Sequence, residues 1–141
     1  MDKIKVFLDS DILISALLSK TGASFEILRN SKITKVTSKA IEAEVHDVIT
    51  RLNLDTQPND VLQDIEIVTL KLKKARLSKM YISYVIDEED SHVVAGAMKA
   101  KVKFLLTHNI RHYHVVRIKN NLELNVMKPG LFLQYLRNLE K

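Results

Sequence analysis

The sequence predicts an α/β protein, a three-layer α/β/α sandwich with a mostly parallel central sheet. Three observations predict it. Short apolar runs rich in Ile and Val alternate along the chain with segments of helical periodicity, the pattern of strands joined by crossover helices. The first run, Ile4-Lys5-Val6-Phe7-Leu8, stops at Asp9-Ser10-Asp11, so a carboxylate ends a buried strand where open α/β sheets place their ligands. Finally, 141 residues that are 46% hydrophobic suit a single domain, 1–141, with one packed core.

Ser10 or Asp11 is expected to cap a helix running to about Leu18, with Gly22 of Lys20-Thr21-Gly22 in the stop position. A second helix would carry Phe25, Ile27 and Leu28. Ile33-Thr34-Lys35-Val36-Thr37 alternates apolar and polar residues and reads as a strand, followed by Ser38 as N-cap. In the helix after Ser38, at about 100° per residue, Ile41, Val45, Val48 and Leu52 form one stripe, with Glu44 and Glu42 each roughly 80° to either side. Asn53 to Asp60 is a loop. Val61, Ile65, Val68, Leu72 and Ala75 then fit one long amphipathic helix ending in Lys71, Lys73, Lys74, Arg76 and Lys79, cations that suit either a solvated helix C-terminus or a phosphate-contacting patch. Tyr81 to Ile86 is a short edge strand or an extended connector. Asp90 shares a helical face with Val93, Val94 and Ala97 and points toward the sheet. Val102 to Thr107 is a strand ending at His108-Asn109, and a last strand, Leu122 to Met127, leads through Pro129-Gly130 to a closing helix with Leu131, Phe132, Tyr135, Leu136 and Leu139.

Composition narrows the chemistry. Lys plus Arg outnumber Asp plus Glu by 22 to 17, a formal charge of +5, which favours a polyanionic partner. With no cysteine, disulfides and thiolate metal sites are excluded. Met1-Asp2-Lys3 runs straight into the first strand without a charged leader and long apolar segment, and no run approaches membrane-spanning length, so a cytoplasmic protein without a membrane partner is expected.

Asp9 with Asp11, Glu44, Asp87 with Asp90, and Asn109 all fall where strands end or helices begin. Right-handed crossovers bring such positions to one edge of a parallel sheet. Carboxylates gathered there repel unless protons or a hard cation neutralise them, and Mg²⁺ or Mn²⁺ is the natural occupant of an all-oxygen site. Such ions, alone or paired about 3.5–4 Å apart, support phosphodiester hydrolysis by activating water and neutralising the leaving oxygen. His92, His108, His112 and His114 match no zinc spacing. Between Lys99 and Lys119 there are six Lys or Arg and no acid; Arg111, His112 and Lys103 there, and Lys74 upstream, are candidate phosphate contacts for a polyanion beside the acidic pocket. Ser15, one turn beyond Asp11, is either a hydrogen-bond partner for an acid or an ordinary helix serine.

Five segments in this order resemble the PIN domain family of metal-dependent ribonucleases, which includes the VapC-like toxins of toxin–antitoxin pairs. They are Val6-Phe7-Leu8-Asp9-Ser10-Asp11-Ile12-Leu13-Ile14-Ser15-Ala16, Thr37-Ser38 with Glu44, Asp87 and Asp90 with Val93-Val94-Ala95-Gly96-Ala97, Leu105-Leu106-Thr107-His108-Asn109, and Lys128-Pro129-Gly130-Leu131-Phe132-Leu133. The resemblance spans about residues 4 to 136. It implies a PIN-like fold and a Mg²⁺- or Mn²⁺-dependent endoribonuclease whose catalytic, metal-binding acids are Asp9, Glu44 and Asp90, with Asp87 and Asn109 as further metal-site residues. It also implies RNA as substrate, an antitoxin protein as partner, and a homodimer formed through the long helix from about Val61. Two residues depart from the family pattern: Asp11 stands where Asn is common, and Asn109 where many members have Asp, so the far side lacks one charge. The competing expectations are a catalytically weak RNA- or protein-binding module, supported by Asn109, and a haloacid-dehalogenase-type phosphotransferase, imitated by Asp9-Ser10-Asp11 but lacking Thr or Val where Leu13 stands.

Overall fold

In a computed structural model, which describes residues 3–140, the apolar run Ile4–Leu8 forms β1 at the centre of a five-stranded sheet. The Met1-Asp2 start of the sequence lies outside the described residues. The order is β3-β2-β1-β4-β5, with β2 at Ile33–Ser38, β3 at Ile65–Val68, β4 at Phe104–Leu106 and β5 at Asn125–Met127. All four pairings are parallel; on β1, Val6 lies opposite Lys35 of β2 and Phe104 of β4. Val6, Phe7 and Leu8 are fully buried, as expected of a strand covered on both faces.

Helices α1 (Ser10–Leu18), α2 (Ala23–Arg29), α3 (Lys39–Arg51) and the single turn α4 (Asn59–Leu62) connect β1, β2 and β3. The chain then reverses direction across the sheet. Helices α5 (Lys74–Tyr81) and α6 (Ser91–Ala100) lead to β4, α7 (Val115–Leu122) leads to β5, and α8 (Pro129–Leu139) closes the chain against α2. Right-handed crossovers place the connections made before and after the reversal on opposite faces. The point of reversal lies between β1 and β4.

Several local expectations are corrected. Asp9, rather than Ser10 or Asp11, is the N-cap of α1, and Gly22 precedes α2 at φ 120° instead of ending α1, whose C-cap is Ser19. The long helix from Val61 does not exist. Its 4-3-4 apolar spacing imitates a helix, but the backbone turns at Asp64, φ 64°, into the edge strand β3, where buried Ile65 and exposed Glu66 show the two-residue alternation instead. The cation cluster therefore meets the start of α5, the unfavourable end of a helix dipole; there Lys74 forms an ion pair with Glu89. Tyr81 to Ile86 is the end of α5, a 3-10 turn at Ile82–Tyr84 and a connector, not a strand of the sheet. Leu122 ends α7, a helix not anticipated, and β5 starts only at Asn125 because Glu123 is left-handed. The polar members of β2 are not solvent-facing either: Thr37 donates to Leu8 O at 2.9 Å, and buried Lys35 donates to the carbonyls of Leu28 and Asn30 at the end of α2.

In α3 Ile41, Val45 and Val48 are buried as expected and joined by Ile49, while Leu52, just past the helix, is 51% exposed. In α8 Phe132 and Leu133 are buried, Phe132 against Phe104 at 5.2 Å between ring centroids, and Leu131 and Leu139 are exposed. On the opposite face Gly96 of α6 lies so close to β1 that a Cβ there would stand 2.5 Å from the Phe7 ring. A Gly96→Ala change is therefore expected to destabilise the protein by about 1–3 kcal/mol through overpacking, despite alanine's better helix propensity; urea unfolding measures the difference.

Candidate acidic active site

The reversal between β1 and β4 leaves a crevice at their carboxyl ends, and the acids gather there. Asp9 ends β1 and starts α1 with extended backbone, φ −70° and ψ 159°. Its Oδ1 accepts the Ser10 N–H at 2.8 Å, and its Oδ2 accepts Thr107 Oγ1 at 2.9 Å and Tyr113 OH at 2.8 Å. The residue is only 8% exposed, and these three donors offset the desolvation of a carboxylate.

Asp11, in the first turn of α1, accepts at Oδ2 from Thr107 Oγ1 at 3.0 Å and from the His108 N–H at 3.1 Å. Its Oδ1 is buried with no hydrogen-bond partner among the described residues. Burial, reinforced by the adjacent charge of Asp9, pushes the Asp11 carboxyl up to about 6. The Thr107 hydroxyl thus stands within hydrogen-bonding reach of two carboxylates but has a single proton to give.

Asp90 arrives from the opposite side, ending the 3-10 turn Glu88–Asp90 before α6. It makes no side-chain cap on α6; its Oδ2 lies 3.4 Å from His112 Nδ1. Burial and the charge of Asp9 both raise its carboxyl above the ordinary range. Glu44 on α3 stands at the rim, with Oε1 3.3 Å from His92 Nε2 and its side chain 45% exposed. Partial burial would raise it, but the His92 ring and the Ser10 hydroxyl outweigh that and hold it below the usual range.

The other expected residues divide. Asp87 is exposed and accepts the Glu89 N–H at 3.0 Å, so it caps the turn before Asp90 rather than joining the cluster. Asn109 donates its backbone N–H to Thr107 at 3.1 Å, and it lines a shallow cavity of about 400 Å³ with Arg111, His112 and Lys128. Lys74 lines a neighbouring pocket with Glu44 and His92. Lys103 is not brought to the site: it precedes β4, at the opposite edge of the sheet, where its carbonyl accepts from Asn125. Ser15 makes no hydrogen bond to an acid among the described residues.

The sequence did not single out Thr107 and Tyr113, which hold Asp9, or Lys128, which lies beside Arg111; His92, weighed there only as a zinc ligand, instead meets Glu44. Burial pushes the Tyr113 hydroxyl far above tyrosine's ordinary range, and Asp9 adds to it, so the group stays a donor. The only signal for Thr107 was its place at a strand end; Tyr113 lay in a stretch read for its cations.

The donor set fits a hard divalent cation. It is all oxygen, the charge of Asp9 acts on both Asp11 and Asp90, and the unpartnered Asp11 Oδ1 is an acceptor without a donor. Among the described residues no three His, Asp or Glu side chains already stand close enough together to hold an ion, so closing around one requires side-chain movement.

A model of the PIN domain family matches residues 5–111, and the chain belongs to that family. Among solved structures it is similar to a toxin–antitoxin complex from Klebsiella pneumoniae, with TM-score 0.65 and 17% identity over 88% of this chain and 97% of that one. It is also similar to VapBC2 from Rickettsia felis bound to a DNA fragment from its promoter, with TM-score 0.61 and 15% identity over 87% and 97%. VapC20 from Mycobacterium tuberculosis, a toxin that cleaves the sarcin-ricin loop, aligns with TM-score 0.52 and 11% identity over 71% and 86%. At these identities the likeness is one of fold. No curated protein matches the chain. Among the described residues no helix is long and apolar enough to cross a membrane.

The raised Asp11 carboxyl predicts a pH dependence of stability. The folded state holds this proton more tightly than the unfolded chain, so as pH rises from about 4 to about 6 the metal-free protein loses the stability that protonated Asp11 contributes. Urea unfolding in a chelator should show that decline, and Asp11→Asn should flatten it.

Proposed function

We propose that the chain is a metal-dependent endoribonuclease, the toxin of a toxin–antitoxin pair, hydrolysing RNA phosphodiester bonds at the crevice between β1 and β4. The observation that carries this reading is that Asp9 and Asp11 on one segment, and Asp90 from a distant one, face a crevice where the charge of Asp9 acts on both others and one buried carboxylate oxygen has no partner among the described residues. Asp9, Asp11 and Asp90 would hold Mg²⁺ or Mn²⁺, with Glu44 joining from the rim. When bound, the ion supplies an activated water and neutralises charge on the leaving oxygen. Asp87 and Asn109 keep outlying roles, Asp87 adding negative charge near Asp90 and Asn109 lining the wall toward the cations. Arg111, His112 and Lys128 provide a basic flank next to the acids, positioned to hold the phosphates on either side of the scissile one. An antitoxin partner is supported by the toxin–antitoxin complexes among the similar structures; a homodimer would need a surface other than the long helix from Val61, which is not formed.

RNA cleavage in Mg²⁺ or Mn²⁺, stopped by a chelator, tests the reading. Asp9→Asn and Asp90→Asn should each lower kcat by on the order of 10²-fold or more, the scale of losing one electrostatic stabiliser of a transition state; wild-type rates in clean Asp9→Asn protein would sink the assignment. Arg111→Ala and Lys128→Ala should raise KM with kcat nearly unchanged, each reducing the salt slope of RNA binding by about one. The uncharged Asn109 supports a second reading, a binding module without catalysis. Salt-sensitive RNA binding with no cleavage in Mn²⁺ would establish that instead.

A further inference from the structure

We infer that Tyr113 is a positioning residue for Asp9, and that its hydroxyl sets the affinity of the acidic crevice for a divalent cation. This rests on the reading of the acids as an ion site.

The geometry comes from both the backbone and the side chain. Tyr113 is extended, φ −124° and ψ 143°, and forms an isolated antiparallel bridge with Val85, outside the main sheet. The bridge is flanked by Ile86 N–H to His112 O and His114 N–H to Tyr84 O, both 2.9 Å. Arg117 adds a side-chain bond to the Ser83 carbonyl. These bonds fix the backbone from which the ring projects, and burial of the side chain fixes the ring's direction. The ring is 5% exposed and delivers its hydroxyl to Asp9 Oδ2 at 2.8 Å. The preceding residue, His112, meets Asp90 at 3.4 Å, so two adjacent residues hold acids that come from opposite sides of the crevice.

The hydroxyl does more than fill a hole. Thr107 Oγ1 faces Asp9 at 2.9 Å and Asp11 at 3.0 Å with one proton between them. Because Tyr113 supplies Asp9, the Thr107 proton is free for Asp11, the acid with an unpartnered oxygen. Without the Tyr113 hydroxyl the two carboxylates compete for that proton, and Asp9 is left with the Ser10 N–H alone as a donor certain to serve it, while Asp11 keeps the His108 N–H. Outer hydrogen bonds of this kind fix the direction of a metal ligand, and their loss typically costs 10–100-fold in metal affinity.

The test is Mn²⁺ binding to the intact protein without RNA, followed through the electron paramagnetic resonance signal of free Mn²⁺. Tyr113→Phe keeps the ring and should bind Mn²⁺ about tenfold more weakly, with kcat reduced and the KM for RNA unchanged. Thr107→Ser, which retains the hydroxyl, should bind as wild type, and Thr107→Val should bind more weakly. Urea unfolding separates a purely structural role, which would lower the unfolding midpoint and leave Mn²⁺ affinity alone. Wild-type Mn²⁺ affinity in Tyr113→Phe overturns the inference while the ribonuclease reading stands. Weakened binding in Tyr113→Phe, with no RNA cleavage even by wild type, upholds the inference and overturns that reading. Failure of wild type to bind Mn²⁺ overturns both.

Discussion

Strand β1 pairs with β2 on one side and β4 on the other, and β4 is reached only after the chain has crossed to the far edge of the sheet and returned. The helices leaving β1 and the segments leaving β4 therefore diverge to opposite faces, and the space between them is never filled by a connection. Everything in the crevice follows from that reversal. Asp9 and Asp11 come from the β1 side, Thr107 and Tyr113 from the β4 side, and Asp90 from the crossover that links β3 to β4.

Placing acids in such a space has an energetic cost that the fold meets unevenly. Asp9, nearly buried, receives three hydrogen bonds; Asp11 receives two at one oxygen and none at the other. The raised carboxyls of Asp11 and Asp90 share the same causes, desolvation and the charge of Asp9. Acids that resist ionisation beside a neighbouring charge mark where a cation gains most, because the ion relieves repulsion as well as making bonds. The basic flank of Arg111 and Lys128 lies outside this pocket, so it attracts polyanions without neutralising the acids.

The parts of the molecule legible in the sequence are those fixed by local pattern. β1, α3 with its Ser38 cap, and the carboxylate closing β1 were readable because burial period, capping chemistry and the cost of an unpartnered acid are local properties. β3 was hidden because Val61, Ile65, Val68 and Leu72 satisfy a helical spacing, and only the left-handed Asp64 breaks it. α7 was hidden because its apolar stripe is only Val115, Ile118 and Leu122, set in a segment whose cations and histidine pointed to phosphate contacts. Tyr113 could not be read at all: its importance comes from a bridge to Val85, 28 residues earlier, and from a hydroxyl whose acceptor lies 104 residues away.

That bridge has a dynamic consequence. The pairing of Tyr84–Ile86 with His112–His114 belongs to no sheet and is held by the amides of Ile86 and His114. A local opening there, well short of global unfolding, would release the residues in contact with Asp9 and Asp90 together. Val85 and Tyr113 also pack into the main core, so this pairing ties the crevice to the body of the protein. Amide exchange at Ile86 and His114 reports how often it opens, and a partner that clamps or parts these two segments would act on both acids without touching either one.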